Sequence, residues 1–323
     1  MENLYLGVDL GSVSTNIVLI DENLNVVKKY YLRTMGKPIV VLQEGMKLIE
    51  DEARYIKGVG TTGSGRYLAS AMLRADIVKN EITTHAIAAI NIKSNVRTIL
   101  EIGGQDSKIV ILRDGVVQDF AMNTVCAAGT GSFLDRQAAR LGVKIEDFGQ
   151  LALKSKTSVR IAGRCAVFAE SDMIHKQQLG HSQEDIINGL CEALVRNYLN
   201  NVGKGKKIQE PIFFQGGVAA NIGIKKAFEK SLNAEIYVPQ NYDVMGAIGS
   251  AILAKEKVAK DQKTNFKSDA VFNNAFVVHG FECNHCSNMC EVIEILRNKK
   301  VIARWGDKCG RWSNLITDNQ ELA

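Results

Sequence analysis

Two acidic residues, Asp9 and Glu101, occupy corresponding places in a 14-residue pattern that occurs twice, 92 residues apart and without gaps. The two copies span Val8–Asp21 and Leu100–Arg113. Each copy has an apolar segment that ends in the acid, a short Gly/Ser-containing turn and a second apolar segment. This pattern predicts a β-hairpin whose tip carries backbone N–H groups, hydroxyls and one carboxylate. Two such tips suit a nucleotide, because main-chain N–H groups bind phosphate and carboxylates hold Mg2+.

We therefore expect Asp9 and Glu101 to hold Mg2+, and the two turns to hold the phosphates of ATP or ADP. Gln105 and Asp106, at the second turn, are candidates for positioning the attacking water, with turn formation as the alternative role. A single turn of this kind is common and forms in ordinary hairpins, but its repetition in register favours the nucleotide interpretation. The residues predicted to contact phosphate are Gly11, Ser12, Val13, Ser14, Thr15, Gly103, Gly104 and Ser107.

A third glycine-containing turn lies in the segment 208–221, which reads as a buried strand, the pair Gly216-Gly217 and a helix. Such a turn lets the backbone approach a phosphate or a flat ring, and the helix can present polar groups to an adenosine. The following segment 243–253 predicts a helix of small residues that packs closely at a domain junction. Close packing alone explains its glycines equally well. The predicted nucleotide contacts in this region are Gly216, Gly217, Lys226 and Gly246.

Two of the seven cysteines, Cys126 and Cys165, each precede a stretch with helical periodicity. A helix N-terminus stabilises a thiolate, which favours a reactive thiol or a ligand to an iron–sulfur cluster. Two thiolates are half of the four that a 4Fe-4S cluster needs, so a two-fold dimer that shares one cluster fits the stoichiometry. The alternative is a pair of buried structural cysteines. Cys191 lies in an apolar helical pattern and is expected in the core.

Four further cysteines lie in a C-terminal segment of different character, after a charged stretch at 255–264. A close set of ligands with one distant ligand is typical of a zinc or iron–sulfur site, and here it requires the segment to fold back. The alternative is a reducible thiol cluster. We expect a linker at 256–280 and a small Cys-rich module at 281–323. The candidate ligands are Cys283, Cys286, Cys290 and Cys309.

Length and composition restrict the class of protein. A chain of 323 residues with 46% hydrophobic and 23% charged residues predicts a soluble protein with two domains of ordinary size. No apolar run approaches the ~20 residues that span a bilayer, and the N-terminus enters a strand without a leader, so we expect a cytoplasmic protein without membrane contact. The net charge of +5 is dispersed, which argues against nucleic acid as a partner.

Taken in chain order, these segments resemble the actin, hexokinase and heat-shock ATPase superfamily over about residues 4 to 255. The resemblance implies an α/β protein with a duplicated ribonuclease H-like, actin-like ATPase fold and nucleotide in the interdomain cleft. We expect the first subdomain at 1–95, closed by a helix near 243–255. The second subdomain, with the two cluster cysteines and the adenosine loop, is expected at 96–255.

The motifs around the cysteines resemble the activator family of 2-hydroxyacyl-CoA dehydratases, which includes benzoyl-CoA reductase ATPase subunits and double-cubane cluster protein reductases. The resemblance implies a homodimer in which Cys126 and Cys165 ligate one bridging 4Fe-4S cluster. It also implies that ATP hydrolysis drives one low-potential electron to a dehydratase-like or double-cubane partner. Glu101 stands where such proteins commonly carry aspartate, and the carboxylate is kept. The matching segments are 7–12, 102–108, 126–131, 165–171 and 215–219.

The mildly basic chain suits an acidic electron donor such as ferredoxin or flavodoxin. Since a solvent-exposed cluster is oxygen-sensitive, we expect an anaerobic host.

Two other functions would use the same hairpins. A small-molecule kinase needs an acidic base but has no use for Cys126 and Cys165, and a nucleotide-dependent scaffold or chaperone works without either cysteine.

Overall fold

The computed structural model describes residues 3–123, 125–261, 263–267 and 274–313. Contacts divide the chain into two compact units, Met1–Asn80 with Ser250–Ala323, and Glu81–Gly249. The observed division precedes the helix Glu81–Ile92, whereas the boundary that we expect at residue 95 follows it. Among the described residues, none of the helices has the length and apolar character needed to cross a bilayer.

The first unit is built on one mixed five-stranded sheet of order β3-β2-β1-β4-β5. β1 pairs with β2 and β2 with β3 in antiparallel fashion, whereas β4 and β5 continue the sheet in parallel. β1 and β2 are buried almost throughout, while β3 alternates between exposed and half-buried residues, as an edge strand does. The elements are β1 (Leu4–Leu10), β2 (Ser14–Ile20), β3 (Val26–Arg33), α1 (Pro38–Lys47), a 3-10 helix (Glu50–Tyr55), β4 (Ile56–Thr62), α2 (Arg66–Leu73) and β5 (Ile77–Val78).

The second unit repeats this sheet, with the order β10-β9-β6-β7-β8 and the same strand directions. Its acid-bearing hairpin β6/β7 is the counterpart of β1/β2, so the predicted duplicated ribonuclease H-like α/β fold is confirmed. The elements are α3 (Glu81–Ile92), β6 (Thr98–Ile102), β7 (Ser107–Arg113), β8 (Val116–Asn123), α4 (Gly131–Leu141), α5 (Ile145–Ala152), α6 (Ala166–Gln178), α7 (Gln183–Asn201), β9 (Ile212–Gln215), α8 (Ile222–Leu232) and β10 (Ile236–Tyr237).

Helix α7 is the central helix of the second unit. Ser182 caps its N-terminus by accepting a hydrogen bond from the Asp185 amide. Its buried face includes Cys191, which is fully buried as expected, and Tyr198. Tyr198 packs edge-on against Phe228 of α8, with the ring centroids 5.2 Å apart. This packing fixes α7 against α8 and supports the polar residues near the C-terminal end of α7.

The last helix and the C-terminal sheet continue the chain. Helix α9 (Met245–Asp261) extends into the segment that we expect to be a linker. β11 (Phe276–Glu282), β12 (Glu291–Arg297) and β13 (Lys300–Trp305) form an antiparallel three-stranded sheet. Ile295 of this sheet is buried in the hydrophobic core of the first unit. The C-terminal sheet is therefore packed onto the first unit.

Candidate functional site

Two loops of the same conformation join the paired strands of the duplicated hairpins. We call residues 11–14 loop 1 and residues 103–106 loop 2. In loop 1 the Gly11 amide donates to the Ser14 carbonyl at 2.8 Å, and in loop 2 the Gly103 amide donates to the Asp106 carbonyl at 3.0 Å. The two loops therefore share this hydrogen bond, although only their first residue, a glycine, is common to both sequences. Ser12 and Gln105 are exposed at their tips.

Each acid is buried at the base of its loop. Asp9 is 9% exposed near the end of β1, and Glu101 is 4% exposed near the end of β6. The glycine directly after the parallel neighbouring strand packs against each carboxylate. A Cβ on Gly63, after β4, would lie 2.6 Å from Asp9 Oδ1, and one on Gly216, after β9, would lie 2.6 Å from Glu101 Oε1. Both glycines have positive φ, +92° and +86°. Gly216 thus contacts the predicted metal carboxylate of its own unit.

Loop 1 is held by a threonine that the sequence analysis missed. Thr34 donates from its backbone N to the Val13 carbonyl at 2.8 Å and from its hydroxyl to the Gly11 carbonyl at 3.0 Å. Its hydroxyl also lies 3.0 Å from the buried hydroxyl of Thr15. The Thr15 side chain, predicted to contact phosphate, therefore has an internal partner that fixes the loop.

Loop 2 is held by an ion-pair cluster centred on Lys108. Its ammonium, on a side chain only 3% exposed, lies 2.8 Å from Asp106 Oδ2, 3.0 Å from Glu101 Oε2 and 3.4 Å from Glu81 Oε1. Burial alone would lower the pKa of Lys108, but these carboxylates hold it well above its ordinary value. Lys108 therefore carries a positive charge at neutral pH. The predicted acids Glu101 and Asp106 share it as a counter-charge.

Several buried polar atoms beside the two acids have no hydrogen-bond partner within the described residues. Asn16 Oδ1 lies on the residue paired with Asp9, and Ser107 Oγ follows loop 2 directly. Gln215 Nε2 lies on the residue paired with Glu101, while Gln215 Oε1 bonds to His85 Nδ1 at 2.7 Å. Burial lowers the pKa of His85 to about 4, so this histidine is neutral. Unpaired buried groups next to carboxylates fit a polar ligand such as hydrated Mg2+ with a polyphosphate.

The residues predicted to lie near the adenosine occupy different environments. Gly217 is exposed and begins a 3-10 helix between β9 and α8. Lys226 of α8 is exposed and pairs with Glu229 at 2.9 Å. Gly246 is buried in the first turn of α9. These contacts with nucleotide remain predictions.

Loop 2 is connected directly to the segment that carries Cys126. The carbonyl of Gly103 accepts a hydrogen bond from the Gly131 amide at 2.9 Å. The carbonyl of Gly104 accepts two, from the Ser132 amide at 2.8 Å and from the Ser132 hydroxyl at 2.5 Å. Gly131 and Ser132 begin α4, and only a 3-10 turn at Ala127–Gly129 separates this helix from Cys126. Any displacement of loop 2 therefore acts on the start of α4.

The two predicted cluster cysteines belong to neighbouring segments of the second unit. Cys126 and Cys165 are half-buried, and Cys165 is the N-cap residue of α6. Cys126 Sγ lies 3.8 Å from the Arg164 carbonyl, next to Cys165 in sequence. Asn197 of α7 links both segments, since its Nδ2 donates to the Gly163 carbonyl at 2.6 Å and contacts Cys126 Sγ at 3.8 Å. This arrangement brings two thiols to one part of the surface.

The helices that follow the two cysteines are joined by ion pairs. Glu170 of α6 lies 3.1 Å from Arg136 Nε and 2.5 Å from Arg140 Nη2, both on α4. Partly exposed pairs of this kind contribute only about 0–1 kcal/mol to stability. These ion pairs connect α4 to α6 and so help to set the position of one helix relative to the other.

The surface beside the cysteines is apolar. Val125 is 94% exposed, Val167 is 67% exposed and Phe168 is 68% exposed. The periodicity of α6 predicts a helix correctly, but its residues Val167 and Phe168 face solvent, and Ala169 and Met173 form the buried face instead. Large exposed apolar side chains that flank two thiols are typical of an association surface.

The C-terminal cysteines lie at one end of the C-terminal sheet. Cys283 and Cys290 close the loop between β11 and β12, where the Cys283 amide donates to the Cys290 carbonyl at 2.8 Å, and Cys286 lies within this loop. Cys309 follows β13 after Gly306, which packs against the Glu291 carbonyl. Across the described ranges, no group of three or more His, Cys, Asp or Glu side chains is arranged to hold a metal ion. The second metal site remains a prediction.

Comparisons with known proteins agree with these features. Residues 6–254 match the model of the BadF/BadG/BcrA/BcrD ATPase family. The chain is 34% identical, over 79% of its length and 98% of the relative's, to the (R)-2-hydroxyglutaryl-CoA dehydratase activating ATPase of Acidaminococcus fermentans. The crystal structure of that dehydratase's component A matches 80% of this chain and 100% of its own with 32% identity and a TM-score of 0.74.

A second solved structure carries a nucleotide analogue. It is the activator of the 2-hydroxyisocaproyl-CoA dehydratase from Clostridium difficile with bound ADPNP. It matches 80% of this chain and 97% of its own chain, with 32% identity and a TM-score of 0.73.

Proposed function

The chain belongs to the BadF/BadG/BcrA/BcrD ATPase family, and on this premise we propose that it hydrolyses ATP to drive single-electron transfer to a partner enzyme. The observation that carries the proposal is the direct hydrogen bonding of loop 2 to the helix behind Cys126. A kinase does not need this connection, because its phosphate loops serve a substrate and not a thiol.

In the nucleotide site, the backbone N–H groups and hydroxyls of the two loops bind the phosphates of ATP or ADP. Asp9 and Glu101 hold Mg2+, directly or through water, and Gln105 and Asp106 position the attacking water. Gly216, Gly217, Lys226 and Gly246 contact the nucleoside side. The unpaired buried atoms of Asn16, Ser107 and Gln215 support a polar ligand at these places.

Cys126 and Cys165 are the proposed protein ligands of one 4Fe-4S cluster shared by a homodimer. Two thiols per chain match half of the four-thiolate set, and the exposed Val125, Val167 and Phe168 supply apolar surface for the dimer contact. When bound, the cluster supplies a one-electron carrier. Asn197 fixes the two cysteine segments relative to each other.

The partner proposed for the electron is a 2-hydroxyacyl-CoA dehydratase-like or double-cubane iron–sulfur protein, because curated relatives are named as dehydratase activators. The donor is a ferredoxin or flavodoxin, whose acidic surface suits the net positive charge of this chain.

The C-terminal cysteines, Cys283, Cys286, Cys290 and Cys309, are proposed to hold Zn2+ or a second cluster.

The proposal is tested by the iron and acid-labile sulfide content and the native mass of anaerobically purified protein. The full chain should carry serine at the four C-terminal cysteine positions, so that any cluster found is assigned to Cys126 and Cys165. We expect about four irons per dimer, since one 4Fe-4S cluster needs four thiolates. An iron-free monomer that still hydrolyses ATP would instead indicate a kinase or a nucleotide-dependent scaffold.

Ser132→Ala is expected to weaken the effect of nucleotide on the cluster without abolishing ATP hydrolysis. The substitution removes one of the two hydrogen bonds from Ser132 to the Gly104 carbonyl and leaves the amide bond in place. Residues that carry coupling typically change it by about 0.5–2 kcal/mol, or about 2- to 30-fold. The measurement is the rate of iron removal by a chelator with and without ADPNP.

The matched control is Ser171→Ala on α6, because the Ser171 hydroxyl bonds only to the Val167 carbonyl of its own helix among the described residues. We expect this variant to keep the parent ratio of the two chelation rates. An unchanged ratio in Ser132→Ala would show that loop 2 does not act through this serine.

A further inference from the structure

Lys108 is the most enclosed charged residue of the second unit. Its side chain is 3% exposed, and its ammonium has three carboxylate neighbours, on Asp106, Glu101 and Glu81. Its backbone carbonyl accepts a hydrogen bond from the buried Tyr198 hydroxyl at 2.6 Å. Both ends of the residue are therefore fixed.

The internal duplication shows what is special about this position. The residue 92 positions earlier is Asn16, which pairs with Asp9 in β1/β2 just as Lys108 pairs with Glu101 in β6/β7. Asp106 likewise corresponds to Ser14. The two loops share a backbone conformation, but only loop 2 carries an acid in the loop and an ammonium beneath it.

The geometry limits how Lys108 can act. A lysine ammonium has three N–H donors, and three carboxylates lie within ion-pair distance of it. Direct binding of a phosphate would require it to leave one of these partners. In this geometry Lys108 can instead set the distance and orientation between Glu101 and Asp106.

We propose that Lys108 is the positioning residue of the ATPase site, holding Glu101 for the metal and Asp106 for the attacking water in one fixed arrangement. This inference rests on the proposed ATPase function. Without Lys108, Glu101 and Asp106 lose the positive charge that they share, and loop 2 keeps only its hydrogen bonds to α4. Supporting residues of this kind typically change activity by about 10- to 100-fold.

The test is steady-state ATP hydrolysis by Lys108→Met in the full chain, with thermal unfolding measured alongside. At saturating Mg2+ we expect kcat to fall about 10- to 100-fold, while KM for MgATP stays near the parent value. The matched control is Lys206→Met, which removes a lysine paired with Asp119 at 2.7 Å elsewhere in the same unit and should keep the parent kcat.

A double-mutant cycle with Asp106→Asn distinguishes positioning from a general structural effect. If Lys108 acts through Asp106, the double variant is no slower than the slower single variant, whereas independent effects multiply. A kcat close to the parent value in folded Lys108→Met, or multiplying effects in the cycle, would overturn the inference.

If Lys108→Met does not fold, Lys108→Arg is the variant to measure in its place. It keeps the charge but presents a planar fork in place of a compact ammonium, so we expect a lowered kcat with unchanged KM. A parent-like kcat in this variant would contradict positioning by Lys108. A parent protein that does not hydrolyse ATP would overturn the proposed function itself, and this inference with it.

Discussion

Cys126→Ser is expected to reduce the iron content of the anaerobically purified protein from about four per dimer to background, because a 4Fe-4S cluster needs four thiolates. In a two-fold dimer the substitution removes two of the four ligands at once. Electron transfer to any acceptor should then be lost. ATP binding should persist, since Cys126 is separated from loop 2 by the 3-10 turn and the start of α4.

The control for this variant is Cys191→Ala. Cys191 is fully buried in α7, and burial raises the pKa of its thiol, so it is not available as a thiolate ligand. Its substitution should leave iron content and electron transfer unchanged. The measurements are iron and sulfide analysis, the electron paramagnetic resonance spectrum of the reduced protein, and the Kd for ADPNP. Full iron content in the double variant Cys126→Ser/Cys165→Ser would contradict the assignment of the cluster ligands.

The duplicated hairpins could be predicted from sequence because their determinants are local. The alternation of apolar residues, the acid and the glycine all lie within 14 consecutive residues, and the second copy repeats them in register. The contacts of Lys108 could not be predicted in the same way. Glu81 belongs to α3 and Glu101 to β6, and only the packed unit brings them to one ammonium.

The exposed face of α6 shows another limit of sequence reasoning. Periodicity indicates a helix, but it cannot say whether its apolar side chains meet the core of the same chain or the surface of another. Val167 and Phe168 are exposed, whereas the smaller Ala169 is buried. Similarly, the charged segment after residue 255 has no apolar signal that distinguishes a linker from the end of α9.

The residues that support loops 1 and 2 could be predicted from the sequence only in part. Gly63 lies in a stretch with Gly58, Gly60 and Gly65, which is a usable sign of close backbone approach. Its place against Asp9 follows from the parallel pairing of β1 with β4, which no local pattern specifies. Thr34 and Ser132 are ordinary hydroxyl residues in sequence, and their role depends on the carbonyl groups that they meet.

Gly216→Ala is expected to lower ATP hydrolysis about 100-fold, the loss that a displacement of about 1 Å can cause at a catalytic site. Gly216 has φ +86° and ψ 169°, a region that is essentially restricted to glycine and that costs about 1–3 kcal/mol for other residues. The new Cβ would also contact the Ile102 carbonyl and lie 2.6 Å from Glu101 Oε1. The carboxylate that we assign to Mg2+ must therefore move.

The comparison with Gly115→Ala separates backbone strain from this contact. Gly115 has φ +74° in the turn between β7 and β8, and a Cβ there meets no atom within 4 Å. Both variants should lower the free energy of unfolding, because alanine is strained at positive φ. Only Gly216→Ala should also raise the Mg2+ concentration needed for half-maximal ATP hydrolysis. Equal losses of activity in the two variants would mean that Glu101 does not depend on the space that Gly216 leaves for it.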